Sequence, residues 1–254
     1  MQKLAVENLS LRFAGIVALD DVSFGIETGT VCGLIGPNGA GKTSLFNCIS
    51  RLYEPYRGSV FFDGKNVTKC KPKDLAKLGI ARTFQNLALF PSLNVFQNVM
   101  VGGHHYTNSN FIRASFVPAS LRRDEAALTE SVNHLLSELS LYDVRHRSVD
   151  ELPYATLKRI ELARALISRP TFLMLDEPAG GLSQSEVAAL ADTLLQIKEQ
   201  HDVTMLLVEH HMGMVMRICD NLVVLNFGHK IASGKPAQVK VDPAVIEAYL
   251  GRPR

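Results

Sequence analysis

The chain contains no uninterrupted apolar stretch approaching the roughly 18 residues that a membrane span needs. Its opening residues, MQKLAVENLS, lack the basic-then-apolar layout of a secretory leader. Both absences predict a soluble, cytoplasmic protein whose role at a membrane, if it has one, is exercised through a partner. A strong charge of one sign is missing too: 27 Lys and Arg against 25 Asp and Glu give a net charge of +2, which offers no support for nucleic-acid binding. Cys32, Cys48, Cys70 and Cys219 are scattered with no CxxC pair, and fit reduced thiols better than a disulfide framework or a zinc site. There is no internal repeat and no low-complexity segment. What remains is ordinary globular material, 254 residues of which 46% are hydrophobic and 20% charged. That is enough for one large domain or two small ones.

The segments LAVENLSLRF and ALDDVSFGIE are short, rich in β-formers and partly alternating, which predicts antiparallel β-structure. VCGLI follows as a short buried strand, then GPNGAGKT, then SLFNCISRL as a helix. RGSVFFDG reads as another turn and strand, and KCKPKDLAKLGI as a basic stretch. Residues 86–150 differ in character. GGHHYTNSN is a polar loop, and RRDEAALTESVNHLLSELS places Leu128, Val132, Leu135, Leu136 and Leu139 on one helical stripe. This reads as a helical subdomain inserted into an α/β core. Strand and helix patterns then alternate again through TFLML, SEVAALADTLLQIKEQ, VTMLLV and MGMVMRIC, as in a mainly parallel sheet. NLVVLNFGHKIASG reads as a hairpin turning at Phe227-Gly228-His229-Lys230.

Gly36-Pro37-Asn38-Gly39-Ala40-Gly41-Lys42-Thr43 fits the G-x-x-x-x-G-K-[ST] phosphate-loop pattern between a strand and a helix. At average residue usage, a chance match in a chain of this length is on the order of one in a hundred. Glycines let backbone N–H groups curl around phosphate oxygens, and the helix N-terminus adds positive potential. Lys42 is placed to neutralise the β- and γ-phosphates, and Thr43 offers a hydroxyl to Mg²⁺. The apolar run Phe172–Leu175 ends in Asp176 and Glu177. Asp176 suits the Mg²⁺ shell, and Glu177 suits polarisation of a water for attack on the γ-phosphate. Two adjacent carboxylates need a nearby cation to stay ionised together, which Lys42 and Mg²⁺ would supply. After the strand VTMLLV come Glu209-His210-His211, at the strand end where ligands of α/β sheets bind. Adjacent histidines point different ways, so at most one should face the site. His104-His105 in the polar loop has no third ligand at metal-site spacing.

Taken together, these motifs resemble the ATP-binding subunits of ABC transporters over almost the entire chain. The resemblance implies a P-loop NTPase core with an antiparallel β-subdomain and an inserted α-helical subdomain. Residues 1–254 then form a single ATP-binding domain, with 1–85 and 165–254 as catalytic core and β-subdomain and about 86–164 as the helical subdomain. It identifies 36–43 as the Walker A motif, 171–177 as the Walker B motif and Arg82-Thr83-Phe84-Gln85-Asn86 as the Q-loop, with Gln85 reaching Mg²⁺ and the attacking water. Ser44 joins the nucleotide contacts, and His210 matches the switch histidine that contacts the γ-phosphate. Ala179-Gly180-Gly181-Leu182-Ser183 occupies the D-loop. Phe13 looks like the aromatic residue that stacks on adenine, although from sequence alone it could equally be core. Within the family, LSLRFAGIVALDDVSF, GLIGPNGAGKTSLFN, ARTFQNLALFPSLNVFQNVMVG, PAVIEAYLG and the insert near 102–124 resemble the longer of two ATPase types in branched-chain amino acid importers. Urea and short-amide importers share much of this pattern.

The resemblance further implies ATP and Mg²⁺ as ligands, two transmembrane permease subunits, and a second ATP-binding subunit, identical or related, in a head-to-tail dimer. An external substrate-binding protein would be an indirect partner. The location would be the cytoplasmic face of the bacterial plasma membrane. Two other classes fit less well. Non-transport ABC proteins acting on ribosomes or DNA usually carry paired cassettes or basic insertions, and a P-loop kinase lacks the Q-loop, signature and switch histidine.

By position, Leu152–Thr156 is the ABC signature, whose usual form is Leu-Ser-Gly-Gly-Gln. Pro153, Tyr154, Ala155 and Thr156 would thus face the nucleotide of the other subunit. Pro153 supplies neither a hydroxyl nor an N–H, Tyr154 and Ala155 narrow the backbone that glycines would allow, and Thr156 is positioned to cap the helix. These departures predict a weaker clamp across the interface. The following helix opens with Lys158 and Arg159, against the sense of its dipole. Either an anionic phosphate across the interface offsets that conflict, or the long side chains reach solvent.

Overall fold

Turn chemistry and two runs with interspersed apolar residues produce the first layer. β1 (Gln2–Phe13) and β2 (Ile16–Glu27) pair antiparallel through Ala14-Gly15, both at positive φ. The computed structural model describes residues 1–83, 87–103 and 119–250. β3 (Val31–Ile35) leads into α1 (Lys42–Ile49), followed by β4 (Arg57–Phe62) and β5 (Lys65–Asn66). The lysine-rich stretch contains α2 (Pro72–Lys77), whose first residue is a proline at a position that has no intrahelical N–H to lose. β6 (Ile80–Arg82), α3 (Val95–Gly102), α4 (Ala119–Glu138) and α5 (Tyr154–Leu166) come next. The chain continues with β7 (Phe172–Asp176), α6 (Gln184–Gln200), β8 (Thr204–Val208) and α7 (Met212–Ile218). β9 (Asn221–Asn226), β10 (His229–Gly234), α8 (Pro236–Val239) and α9 (Pro243–Leu250) complete it.

Among the described residues the strands form an antiparallel sheet of order β2-β1-β4-β5 and a mainly parallel one of order β10-β9-β3-β8-β7-β6. Every residue of β3, β7 and β8 is buried, which is why these strands read as unbroken apolar runs. α1 buries Leu45, Phe46 and Ile49 completely in a core shared with Leu4, Leu9 and Leu19 of the antiparallel sheet and Leu34, Phe172 and Leu206 of the parallel one. Each such side chain contributes about 1.5–3 kcal/mol by leaving water. Phe62 and Phe172 meet edge to face at 5.9 Å, linking the two sheets. β9 and β10 form the expected hairpin on the two-residue turn Phe227-Gly228, with φ of 44° and 80°, as the twist of a tight hairpin requires.

The chain divides into two units, Met1–Arg82 with Thr171–Arg254, and Thr83–Pro170. The second unit is helical. Leu128, Val132, Leu135, Leu136 and Leu139 are all buried within it, as the stripe predicts. α3 starts at a full capping box between Asn94 and Gln97. Gly102 lets α3 approach α5 closely, since a Cβ there would lie 2.0 Å from the Arg164 carbonyl oxygen. The fully buried Asn98 fastens the preceding loop, accepting from Phe90 N–H and donating to the carbonyls of Phe90, Leu93 and Asn94.

Candidate active site

Strand register brings three loops to one edge of the parallel sheet. Leu34 of β3 pairs with Val208 of β8, which also pairs with Asp176 of β7. The chain therefore leaves the sheet at Gly36, Glu177 and Glu209 from nearly one level, at the C-terminal strand ends where α/β sheets hold ligands.

The loop from β3 depends on its glycines. Gly36, Gly39 and Gly41 have φ of 152°, 78° and 99°. A Cβ on Gly36 would stand 2.2 Å from the Leu225 carbonyl oxygen, and one on Gly41 2.8 Å from that of Ala18. The hairpin turn braces the loop, because Gly228 N–H donates to Ala40 O at 3.0 Å. α1 then begins with Gly41 as its N-cap, without a side-chain cap and without an acidic residue in its first turn. Its leading N–H groups stay available for an anion. Ala40 is buried, Pro37 and Ser44 are half-buried, and Asn38 and Thr43 are exposed. The buried Lys42 donates to the carbonyls of Gly36 at 2.7 Å and Pro37 at 2.9 Å. Of the three N–H bonds of an ammonium, one is left for an acceptor such as phosphate. Burial draws the Lys42 pKa below its ordinary value, and the Glu177 carboxylate partly restores it.

Asp176 is 4% exposed and lies 3.9 Å from the Arg82 guanidinium. Arg82 itself donates to Asn47 Oδ1 at 3.2 Å and Ser50 Oγ at 2.6 Å, and stacks over Phe46 with its carbon 4.8 Å from the ring centroid. Burial lowers its pKa while Asp176 raises it. Glu177 takes a left-handed φ of 47°, donates its N–H to Val208 O and accepts from Gly180 N–H. His210 is largely exposed, and its Nδ1 lies 3.9 Å from Glu177 Oε1 and 3.8 Å from Glu209 Oε2. His211 instead caps α7, its Nδ1 accepting from Met214 N–H at 3.4 Å. Only His210 of the two thus stands beside Glu177.

Phe13 proves not to be core. It is 42% exposed and meets Tyr53 edge to face at 5.1 Å, so two aromatic rings sit together at the surface. At the other end of the chain, burial raises the pKa of the Tyr249 phenol and the nearby Gly36 backbone partly draws it back.

In the helical unit, Pro153 is the N-cap of α5, with no side-chain cap. The expectation that Thr156 caps the helix is not met. Thr156 lies within the first turn, where its N–H bonds to Pro153 O and its hydroxyl accepts from Arg159 at 3.3 Å. Tyr154 is 43% exposed. Contrary to the expectation that the helix opens with its two cations, α5 begins at Tyr154, so Lys158 and Arg159 lie in its second turn, beyond the N–H groups that carry the positive end of the dipole. Lys158 is 5% exposed, with its Nζ 3.9 Å from the Glu161 carboxylate and 5.7 Å from the Tyr154 ring centroid. Arg159 donates to Leu139 O, past the end of α4.

Gln85, with Phe84 and Asn86, lies outside the described residues, as do His104 and His105. Sequence reading passed over Arg82, Glu209 and Tyr53. The first was absorbed into a longer motif, the second was overshadowed by its histidine neighbours, and the third carries no local signal.

A phosphate loop, a carboxylate pair and a histidine at the ends of three adjacent parallel strands, in a chain that also carries an antiparallel sheet and a helical insert, define a transport-coupled ATPase cassette. A family profile described as ABC transporter matches residues 19–180, and the chain belongs to that family. A second profile, described as branched-chain amino acid ATP-binding cassette transporter, matches residues 229–253. Among curated relatives, the high-affinity branched-chain amino acid transport ATP-binding protein BraF of Pseudomonas aeruginosa is 40% identical, covering 98% of this chain and 97% of that one. The corresponding protein LivG of Escherichia coli is 34% identical with the same coverage. Among solved structures, the ADP conformation of MJ1267, an ATP-binding cassette of an ABC transporter, superposes with a TM-score of 0.86 at 30% identity. It covers 99% of this chain and 100% of that one.

Proposed function

We propose that this chain is the energy-coupling ATPase of an importer for branched-chain amino acids. The observation that carries the reading is the level exit of three loops from β3, β7 and β8, which brings Lys42, Asp176, Glu177 and His210 to one edge of the parallel sheet. The full-length likeness to BraF and LivG supplies the substrate class.

In this reading Gly36–Gly41 and the first N–H groups of α1 cradle the phosphates, with Ser44 beside them, and Lys42 neutralises the β- and γ-phosphates. Phe13 stacks on the adenine. The residue types fit a hard divalent cation, since the buried Asp176 carboxylate and the Thr43 hydroxyl are both oxygen ligands. Thr43, Asp176 and Gln85 would hold Mg²⁺, which screens phosphate charge when bound. Glu177 is the general base that takes a proton from the attacking water, and His210 and Gln85 stabilise or sense the γ-phosphate. Pro153–Thr156 face the nucleotide of a second ATP-binding subunit in a head-to-tail dimer, through a clamp that lacks the usual hydroxyl and glycines. Closure and reopening of that dimer drive two membrane permeases, fed by an external binding protein. In this reading attachment to the membrane runs through the permeases; no described helix is long and apolar enough to cross a membrane.

The test is reconstitution with the permeases in vesicles. Wild type should drive ATP-dependent uptake of leucine, isoleucine or valine, and Glu177→Gln should bind ATP while losing nearly all turnover. Uptake of urea or a short amide alone would overturn the substrate assignment. Unchanged turnover in Glu177→Gln would remove it as the base.

A further inference from the structure

Glu209 has no part in the roles assigned above, yet its side chain is fully buried and makes three hydrogen bonds in two directions. Oε2 accepts from His210 N–H at 2.7 Å and His211 N–H at 2.8 Å. Oε1 reaches to the other loop and accepts from Ala179 N–H at 2.9 Å. Ala179 follows Glu177 by two residues, and the loop between them is closed by the bond from Gly180 N–H to Glu177 O. One carboxylate therefore fastens the backbone carrying His210 to the backbone carrying Glu177.

From this geometry we infer that Glu209 is a positioning residue, which holds the Glu177–Ala179 loop and the His210 loop as one rigid piece. A buried carboxylate suits the task better than a neutral group. It is acceptor-only, so both oxygens can face N–H donors, and bonds to an ionised acceptor are about twice as strong as neutral ones. A glutamine of the same shape would turn its own NH₂ toward one of the two sets of donors. One loop would come loose, and the 3.9 Å approach of His210 to Glu177 would no longer be fixed. Groups displaced by about 1 Å from a reacting geometry lose rate steeply while ground-state binding is little changed.

This inference rests on the reading of Glu177 and His210 as the groups that act at the γ-phosphate, and the experiment separates the two. In the assembled transporter, kcat and KM for ATP are measured for wild type, His210→Ala, Glu209→Gln and Glu209→Asp, with ATP affinity and thermal midpoint on the same preparations. The aspartate keeps the charge but is one methylene too short to span both loops. Expected is a fall in kcat of about fivefold or more in both Glu209 variants, with KM and ATP affinity within about twofold of wild type. Should the glutamine variant not fold, the aspartate variant alone decides. A smaller fall in kcat, or one matched by an equal loss of ATP affinity, overturns the positioning role and leaves the active-site reading intact. Full turnover in His210→Ala overturns both.

Discussion

Arg82 is a cation facing the buried carboxylate of the site, and replacing it with methionine removes that charge together with its hydrogen bonds. Methionine keeps an unbranched apolar stem against Phe46 and removes the guanidinium. At 3.9 Å, and with the effective dielectric of about 20 that suits partly buried pairs, attraction to Asp176 is worth about 4 kcal/mol. The bonds to Asn47 Oδ1 and Ser50 Oγ add to this, and the cost of holding a largely buried guanidinium subtracts. Removing one partner of a buried pair typically costs about 3–5 kcal/mol, so Arg82→Met should lose about 3–4 kcal/mol. In urea titrations with a slope near 3 kcal/mol/M, the midpoint should fall by about 1 M. The double substitution Arg82→Met with Asp176→Asn should cost less than the sum of the two single ones by at least about 1 kcal/mol. A loss under about 1 kcal/mol for Arg82→Met, or strict additivity in the cycle, would refute the pairing as a source of stability.

Two further outcomes follow from other parts of the chain. Gly36→Ala places a Cβ 2.2 Å from the Leu225 carbonyl at a φ of 152°, whereas Gly39→Ala meets nothing within 4 Å and pays only for its φ of 78°. The first should lower the thermal midpoint by at least about 5 °C more than the second, and differential scanning calorimetry of the two side by side checks the order. At α6, Ser183 holds the Glu186 carboxyl below its ordinary value of 4.5 through its hydroxyl and N–H. A carboxyl depressed in the folded state stabilises above its unfolded value and stops doing so as pH falls through the folded value. The stability gap between wild type and Ser183→Ala should therefore be widest above pH 4.5 and narrow below it, which chemical unfolding at pH 7 and pH 3 measures.

The elements that sequence reveals best are those whose residues answer to a single environment. β3, β7 and β8 are buried on both faces, so their composition is uniform and their ends are sharp. The stripe of α4 and the turn at Phe227-Gly228 are local patterns as well, and both appear where the sequence places them. Legibility fails where a residue's role depends on a partner distant in the chain. Lys158 resembles an exposed cation until Glu161 and its buried surroundings are seen. Arg82 answers to Asn47 and Asp176, and Glu209 to Ala179, none of them near in sequence. Phe13 could be assigned to the surface only once Tyr53 was placed beside it. Short α2 was hidden by its lysines, since six residues give little periodicity to detect.

The strand order β9-β3-β8-β7 also governs when the site can exist. β3 comes early in the chain, β7 and β8 arrive after the whole helical unit, and β8 lies hydrogen-bonded between the other two. Lys42, Glu177 and His210 can therefore meet only after two long loop closures have been completed. Loss of β8 removes the common support of all three loops. Nucleotide should accordingly slow proteolysis and amide exchange throughout the sheet in step with its affinity, because its binding is linked to cooperative opening of that unit.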